Sequence, residues 1–280
     1  MKTTTMDGAT VGWTDAGSGD VTLLLHAGGF GAWFAPLAGR LPGRVIRLVR
    51  AGYAGGVVPP DLIDVAAHAA HAAALLDALD AAPATVVGHS SGSAIALQLA
   101  LDRPDLVSRL VLSEPPLIDV FLDPVDMDEV HAMLGAAMGA AMAAWGRGDV
   151  PAAFDTFMAA VCGPGYRTVL ADVLGPEELA RAERDAGFFF GNEVPAMARW
   201  TPGDLSRLAS PVLLVQGGAS PPATHRLVTR LARALPDARV GTIPGANHLL
   251  PLTRPGELSQ LITAWSGREN PMRLTTEGAS

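Results

Sequence analysis

The chain has a single cysteine, Cys162, so no internal disulfide holds it together and folding rests on packing. A lone thiol suits a reducing compartment, and a cytoplasmic protein is expected. Lysine is almost missing as well: Lys2 is the only one, and arginine carries nearly all the positive charge. With 20 Lys and Arg against 28 Asp and Glu, the net charge is −8. Nucleic acid and anionic membrane surfaces recruit clustered basic residues, so neither is expected as a partner. Charged residues are scarce at 17% while apolar ones reach 49%, a balance that excludes disorder and supports a full core. The opening MKTTTMDGATVGW has no apolar segment of the kind a secretory signal needs. An uncharged stretch, residues 130–146, is short for a membrane span and is built mostly of Ala and Gly. It reads as a buried or partner-facing helix.

What is present is an alternation of short apolar runs with helical periodicity. Residues 2–6 and 9–14 read as a hairpin around Met6-Asp7-Gly8. Val21–Leu25 and Val45–Val49 read as buried strands, the first ending at His26-Ala27-Gly28-Gly29 and followed by a short helix containing Trp33 and Phe34. The second runs into Gly52-Tyr53-Ala54-Gly55-Gly56, expected to be a flexible loop. Asp61–Leu79 has apolar residues at helical spacing (Leu62, Val65, Ala69, Leu76). Val107–Leu112 is a strand ending at Ser113-Glu114-Pro115-Pro116. From Leu117 to about Leu205 no strand is convincing, and Ala-, Met- and Phe-rich helical stretches follow one another. The alternation resumes at Pro211–Val215, then a helix (His225–Leu235), a strand (Arg239–Ile243), a loop with His248 and a helix (Pro255–Trp265).

Strands alternating with helices imply a mostly parallel central sheet with helices on both faces. The helical block leaves the sheet at the C-terminal ends of its strands, where such sheets bind ligands, so it reads as a cap. The expected organisation is a core of residues 1–116 and 206–266, a helical cap over 117–205, and a loose polar tail over 267–280.

The sheet is organised around Ala84–Ala100, ATVVGHSSGSAIALQLA. An apolar strand ends at Gly88, the residues His89-Ser90-Ser91-Gly92 follow, and a helix begins. This G-x-S-x-G pattern is a nucleophile elbow with Ser90 at its apex. The flanking glycines serve because strand and helix pass too close there for a side chain.

A serine nucleophile needs a base, a group that orients the base, and donors for an oxyanion. In such sheets the chain order is serine, acid, histidine. Only His225 and His248 follow the helical block; His225 falls inside a helix, whereas His248 sits in a loop after a strand. The acid expected after PVLLVQG, in a G-x-x-D pattern, is missing, because Gly217-Gly218-Ala219-Ser220 stands there. Glu114, one residue past the strand that follows the elbow helix, can reach His248 from the same edge of the sheet. Its place before two prolines predicts an extended backbone. Asp119, Asp123 and Asp126 are alternatives, as is a bare Ser90–His248 dyad. The backbone N–H groups of Gly28 and Ser91 are the expected oxyanion donors.

GHSSG, the His26-Ala27-Gly28-Gly29 turn, the late His248 and the cap together resemble the α/β-hydrolase superfamily over residues 10–266. Within it the chain is similar to the zearalenone lactonase group, on three stretches: Ser90-Ser91, Glu114-Pro115-Pro116 and Ser220-Pro221. The resemblance implies Ser90, Glu114 and His248 as a triad and, beyond that, a lactone or bulky ester as substrate. It also departs from the family, with His26-Ala27-Gly28 for the common H-G-x and no aspartate near Val49.

Other signals have ordinary explanations. His68 and His71 lack a third metal ligand and read as a half-exposed helix face. Met138, Trp145, Phe157, Phe189 and Trp200, with other Phe and Met residues of the block, suit either an apolar substrate tunnel or the cap's own core. Gly135 and Gly139 permit close helix packing inside the cap or a dimer contact. The expectation is a cofactor-free, metal-free serine hydrolase acting on a carboxylic ester or lactone as a monomer or homodimer. The alternative is a ligand-binding or non-hydrolytic protein (acyl transfer or elimination in natural-product biosynthesis) on the same scaffold.

Overall fold

A computed structural model of the chain describes residues 1–59, 61, 63–116 and 123–267. Eight strands form one sheet: β1 (Lys2–Met6), β2 (Ala9–Ala16), β3 (Val21–Leu25), β4 (Arg44–Val49), β5 (Ala84–His89), β6 (Val107–Ser113), β7 (Val212–Gly217) and β8 (Ala238–Ile243). Their spatial order is β1-β2-β4-β3-β5-β6-β7-β8. The β1–β2 hairpin is antiparallel, β2 is antiparallel to β4, and β3 to β8 run parallel. The inner strands are near-continuous apolar runs because helices cover both faces. Leu23, Leu24 and Leu25 are all fully buried, although consecutive side chains point to opposite faces.

The helices are α1 (Ala35–Ala38), α2 (Val65–Ala78) and α3 (Ser91–Asp102) before the interruption, and α10 (Pro222–Ala234), α11 (Leu250–Thr253) and α12 (Pro255–Ser266) after it. Trp33 and Phe34 precede α1 rather than lie in it, because Pro36 supports a helix start only near there. Helix α2 begins four residues later than Asp61, where the Asp64 side chain accepts from the Ala67 N–H and caps the first turn. Its histidines correct an expectation. His68 and His71 are each only 3% exposed, on a helix whose Ala69, Ala72, Leu75 and Leu76 are buried with them.

Between β6 and β7 the described residues hold helices and no strand: α4 (Pro124–Val130), α5 (Ala136–Gly146), α6 (Val150–Cys162), α7 (Tyr166–Leu174), α8 (Pro176–Phe188) and α9 (Val194–Arg199). Wide π-type turns, His131–Gly135 and Phe189–Glu193, join α4 to α5 and α8 to α9. The insertion has its own apolar cluster, including Phe154, Met158, Tyr166, Leu170 and Phe190, continuous with Phe30 and Trp33 of the sheet domain. A Cβ on Gly139 would meet nothing within 4 Å, and one on Gly135 only the Cβ of His131 on its own helix. Among the described residues, the close packing expected at that glycine pair inside the insertion is therefore absent. No helix among the described residues is long and apolar enough to cross a membrane.

Candidate active site

Strand β5 delivers Ser90 into a turn with φ 51° and ψ −124°, a conformation that a non-glycine residue holds only under constraint. The constraint is local. Ser90 donates its N–H to Ser113 O at 2.9 Å, and its own carbonyl accepts from the Ser93 N–H at 2.8 Å. The two glycines of the motif are sterically required. A Cβ on Gly88 would lie 2.3 Å from Gly92 O, and one on Gly92 would lie 2.1 Å from Leu25 O.

Strand β6 ends at Ser113, and Glu114 follows with φ +46°. This differs from the extended backbone expected before a proline. Its N–H still donates to Val215 O at 2.8 Å, so the ladder continues while the chain turns away beneath it. The strained turn aims the carboxylate across β7 at three donors. Oε1 accepts from the Gly217 N–H at 2.8 Å and from the Ser220 hydroxyl at 2.6 Å, and Oε2 lies 3.0 Å from His248 Nδ1. Burial alone raises the Glu114 pKa. The His248 hydrogen bond and charge, with the Gly217 and Ser220 donors, outweigh that and hold it down to about 2.

His248 sits in the loop between β8 and α11 and is held by a second imidazole. His89, fully buried, places Nε2 3.0 Å from the His248 backbone oxygen, and its Nδ1 lies 3.2 Å from Ser113 Oγ. Desolvation, reinforced by the positive charge of His248, lowers the His89 pKa to about 3. His89 is therefore neutral at pH 7, and its single ring N–H donates to one of the two backbone carbonyls it lies between, Ser113 O at 3.1 Å from Nδ1 and His248 O at 3.0 Å from Nε2.

Ser90, Ser91, Gly28, Glu114 and His248 line one cavity of about 680 Å³ whose other walls are mostly apolar. Of the insertion residues expected to touch a ligand, Met138, Phe157, Phe189 and Trp200 line it. Trp145 does not. It stacks on Phe190 at 6.1 Å and closes over Gly191 inside the insertion's own core. Trp200 also donates its indole N–H to Gln98 Oε1 at 2.9 Å, tying the cavity wall to α3. Cys162 is buried, and that burial raises its pKa, so it stays a thiol.

The alternative acids are occupied elsewhere. The Asp123 side chain caps α4 and pairs with Arg230, and Asp126 pairs with Arg226 and Arg230. Asp119 lies outside the described residues. His225 places Nε2 2.9 Å from Gly217 O and does not line the cavity that His248 lines.

A second polar cluster was not legible in the sequence. Glu193, from the π-type turn of the insertion, is 3% exposed and pairs with Arg50 at 2.9 Å, which is 1% exposed. Its carboxylate also accepts short hydrogen bonds from Tyr53 OH and Ser91 Oγ. Tyr53, expected in a flexible loop, is thus buried and fixed, and the Gly29 N–H donates to its hydroxyl at 3.3 Å. The partners of Glu193 lie 102 to 143 residues away, so no spacing rule links them.

The alpha/beta hydrolase family matches residues 22–261, and the chain belongs to that family. An sn-1-specific diacylglycerol lipase of Mus musculus is 27% identical over 215 residues, 68% of this chain and 61% of that protein. The magnesium-chelatase 30 kDa subunit of Rhodobacter capsulatus is 30% identical over 203 residues, 67% of this chain and 64% of that protein. The chain thus spans under two thirds of the length of these curated relatives. Among solved structures, a thermophilic esterase from Thermogutta terrifontis superposes with a TM-score of 0.72 at 22% identity, covering 94% of this chain and 96% of that one. Est816, an N-acyl homoserine lactone degrading enzyme, does so at 0.68 and 22% identity, over 94% and 100%. At such identities the superpositions establish the fold.

Proposed function

We propose that the chain is a serine hydrolase that cleaves a carboxylic ester or lactone of a bulky apolar substrate through an acyl-enzyme on Ser90. The observation that carries the reading is the Glu114–His248 hydrogen bond of 3.0 Å, made by a carboxylate that stays ionised. Glu114 then fixes the Nδ1–H tautomer, which leaves Nε2 to accept the Ser90 proton as Oγ attacks the carbonyl. The same nitrogen returns a proton to the leaving oxygen. Water repeats the cycle to release the acid. The N–H groups of Gly28 and Ser91 receive the oxyanion, and donors of that kind are typically worth about a hundred- to a thousand-fold in rate.

The insertion acts as a cap in this reading, and its mostly apolar cavity walls favour a neutral substrate with a large hydrocarbon part. The fold similarity to an esterase and to an N-acyl homoserine lactone degrading enzyme supports an ester or lactone carbonyl as the target. The test is hydrolysis of p-nitrophenyl esters of increasing chain length, N-acyl homoserine lactones and macrolactones, beside the Ser90→Ala protein. Turnover abolished by the substitution is expected. Turnover of none of them, with stoichiometric binding unaffected by Ser90→Ala, would replace this reading with a binding protein.

A further inference from the structure

The Glu193 cluster stands outside the Ser90–His248–Glu114 chemistry, yet it touches both sides of the expected oxyanion hole. On one side the carboxylate accepts from Ser91 Oγ, on the residue whose N–H is one donor. On the other it presses on Gly28, where a Cβ would fall 3.0 Å from Glu193 Oε1 and 2.6 Å from a ring carbon of Phe189. Tyr53 joins the two sides, donating to Glu193 and accepting from the Gly29 N–H. The Gly28 loop is pinned from behind as well. Its carbonyl accepts from the Trp33 indole at 2.8 Å, and His26 accepts the Arg50 N–H at Nε2, at 3.0 Å. His26 lies beside the Arg50 charge in a fully buried setting that keeps it neutral, so its Nδ1–H donates to Ala27 O.

We propose that Glu193 is a positioning residue for the oxyanion hole, carried in by the helical insertion, so that the hole is fully formed only when the insertion is docked. This rests on the hydrolase reading of the site. Charge explains why Arg50 belongs to the same device. A bare carboxylate beside a developing oxyanion would oppose it, and the buried guanidinium, with two hydroxyl donors, cancels that field. A contact needed only for docking would not require this arrangement. The insertion already shares an extensive apolar cluster with Phe30 and Trp33.

The experiment compares the wild type with Glu193→Ala, Glu193→Gln and Tyr53→Phe. It uses p-nitrophenyl butyrate kinetics, the rate of Ser90 labelling by a fluorophosphonate, and amide hydrogen exchange over residues 26–31 and 88–93. For Glu193→Ala, kcat is expected to fall about 100-fold with KM within about threefold, and exchange at 26–31 to rise by about tenfold or more. Glu193→Gln keeps an acceptor for Arg50 and Ser91 and should recover most of the lost kcat. Tyr53→Phe changes no charge and guards against a variant that fails to fold; it should lower kcat about tenfold at unchanged KM. Wild-type kcat and exchange in both Glu193→Ala and Tyr53→Phe, or a loss confined to KM, would overturn the proposal. If the wild type takes up no fluorophosphonate at Ser90, the hydrolase reading falls. The exchange data then decide the tie alone, with unchanged protection in Glu193→Ala refuting it.

Discussion

Ser220 occupies the place where a G-x-x-D acid is expected, and it donates a 2.6 Å hydrogen bond to Glu114, the carboxylate on the neighbouring strand that reaches His248. The loop after β7 thus supplies a hydroxyl donor to the Glu114 carboxylate where a carboxylate of its own is expected. One position can hold the negative charge, and the other must then be neutral, because two carboxylates at that distance cannot both ionise cheaply.

This exclusivity predicts a swap. Ser220→Asp in the wild type should lower activity about tenfold or more, since it removes a donor and crowds two acids together. Glu114→Ala should be far worse. Combining Glu114→Ala with Ser220→Asp should regain part of that loss, because the new carboxylate lies beside the vacated oxygen site. Esterase assays of the three proteins decide it, and a gain from Ser220→Asp alone would mean that Glu114 is not the acid.

Glu114→Gln preserves shape but offers His248 an amide that satisfies the wrong tautomer equally well. A loss of kcat of about 10⁴ is expected, with KM nearly unchanged and the circular dichroism spectrum intact. Burst kinetics with an aryl ester would locate the defect in acylation.

Acid stability should carry the signature of the same residue. The folded Glu114 pKa is depressed from 4.5 to about 2, so its contribution is fully present above pH 4.5 and is lost as pH falls towards 2. The shift corresponds to roughly 3 kcal/mol. Urea unfolding between pH 6 and pH 2.5 should show a decline in the wild type that is shallower by about that amount in Glu114→Gln.

Two aromatic residues of the insertion should separate cleanly. Phe157→Ala enlarges the cavity and should shift the preferred acyl chain upward by several carbons. Trp145→Ala, away from the cavity, should leave chain-length preference unchanged and cost about 2–4 kcal/mol of stability. Thermal melts and the p-nitrophenyl ester series read both effects.

Much of the sheet domain was legible because its signals are local. The apolar runs, the G-x-S-x-G turn and the loop position of His248 are each fixed by a few adjacent residues. Glu114 was legible for a similar reason: strand ends lie side by side, so an acid just past β6 faces the loop after β8. What escaped was set by contacts between distant segments. Tyr53 looked mobile among glycines until Glu193 and Gly29 held it, and His68 and His71 looked half-exposed although the fold buries both. The backbone of Glu114 escaped for another reason. Steric preference before a proline yielded there to the continuing ladder with Val215.

His89 makes the elbow and the β8 loop a single rigid frame, since its ring bridges Ser113 at the end of β6 to the backbone of His248. No residue of the insertion takes part in that bridge. The insertion meets the β8 loop at a neighbouring point, where Asn247 Nδ2 donates to Cys162 O at 3.0 Å, so a different insertion grafted between β6 and β7 to change what is recognised would leave the His89 bridge in place. Such a graft would carry one obligation, which is to bring an acceptor for the buried guanidinium of Arg50.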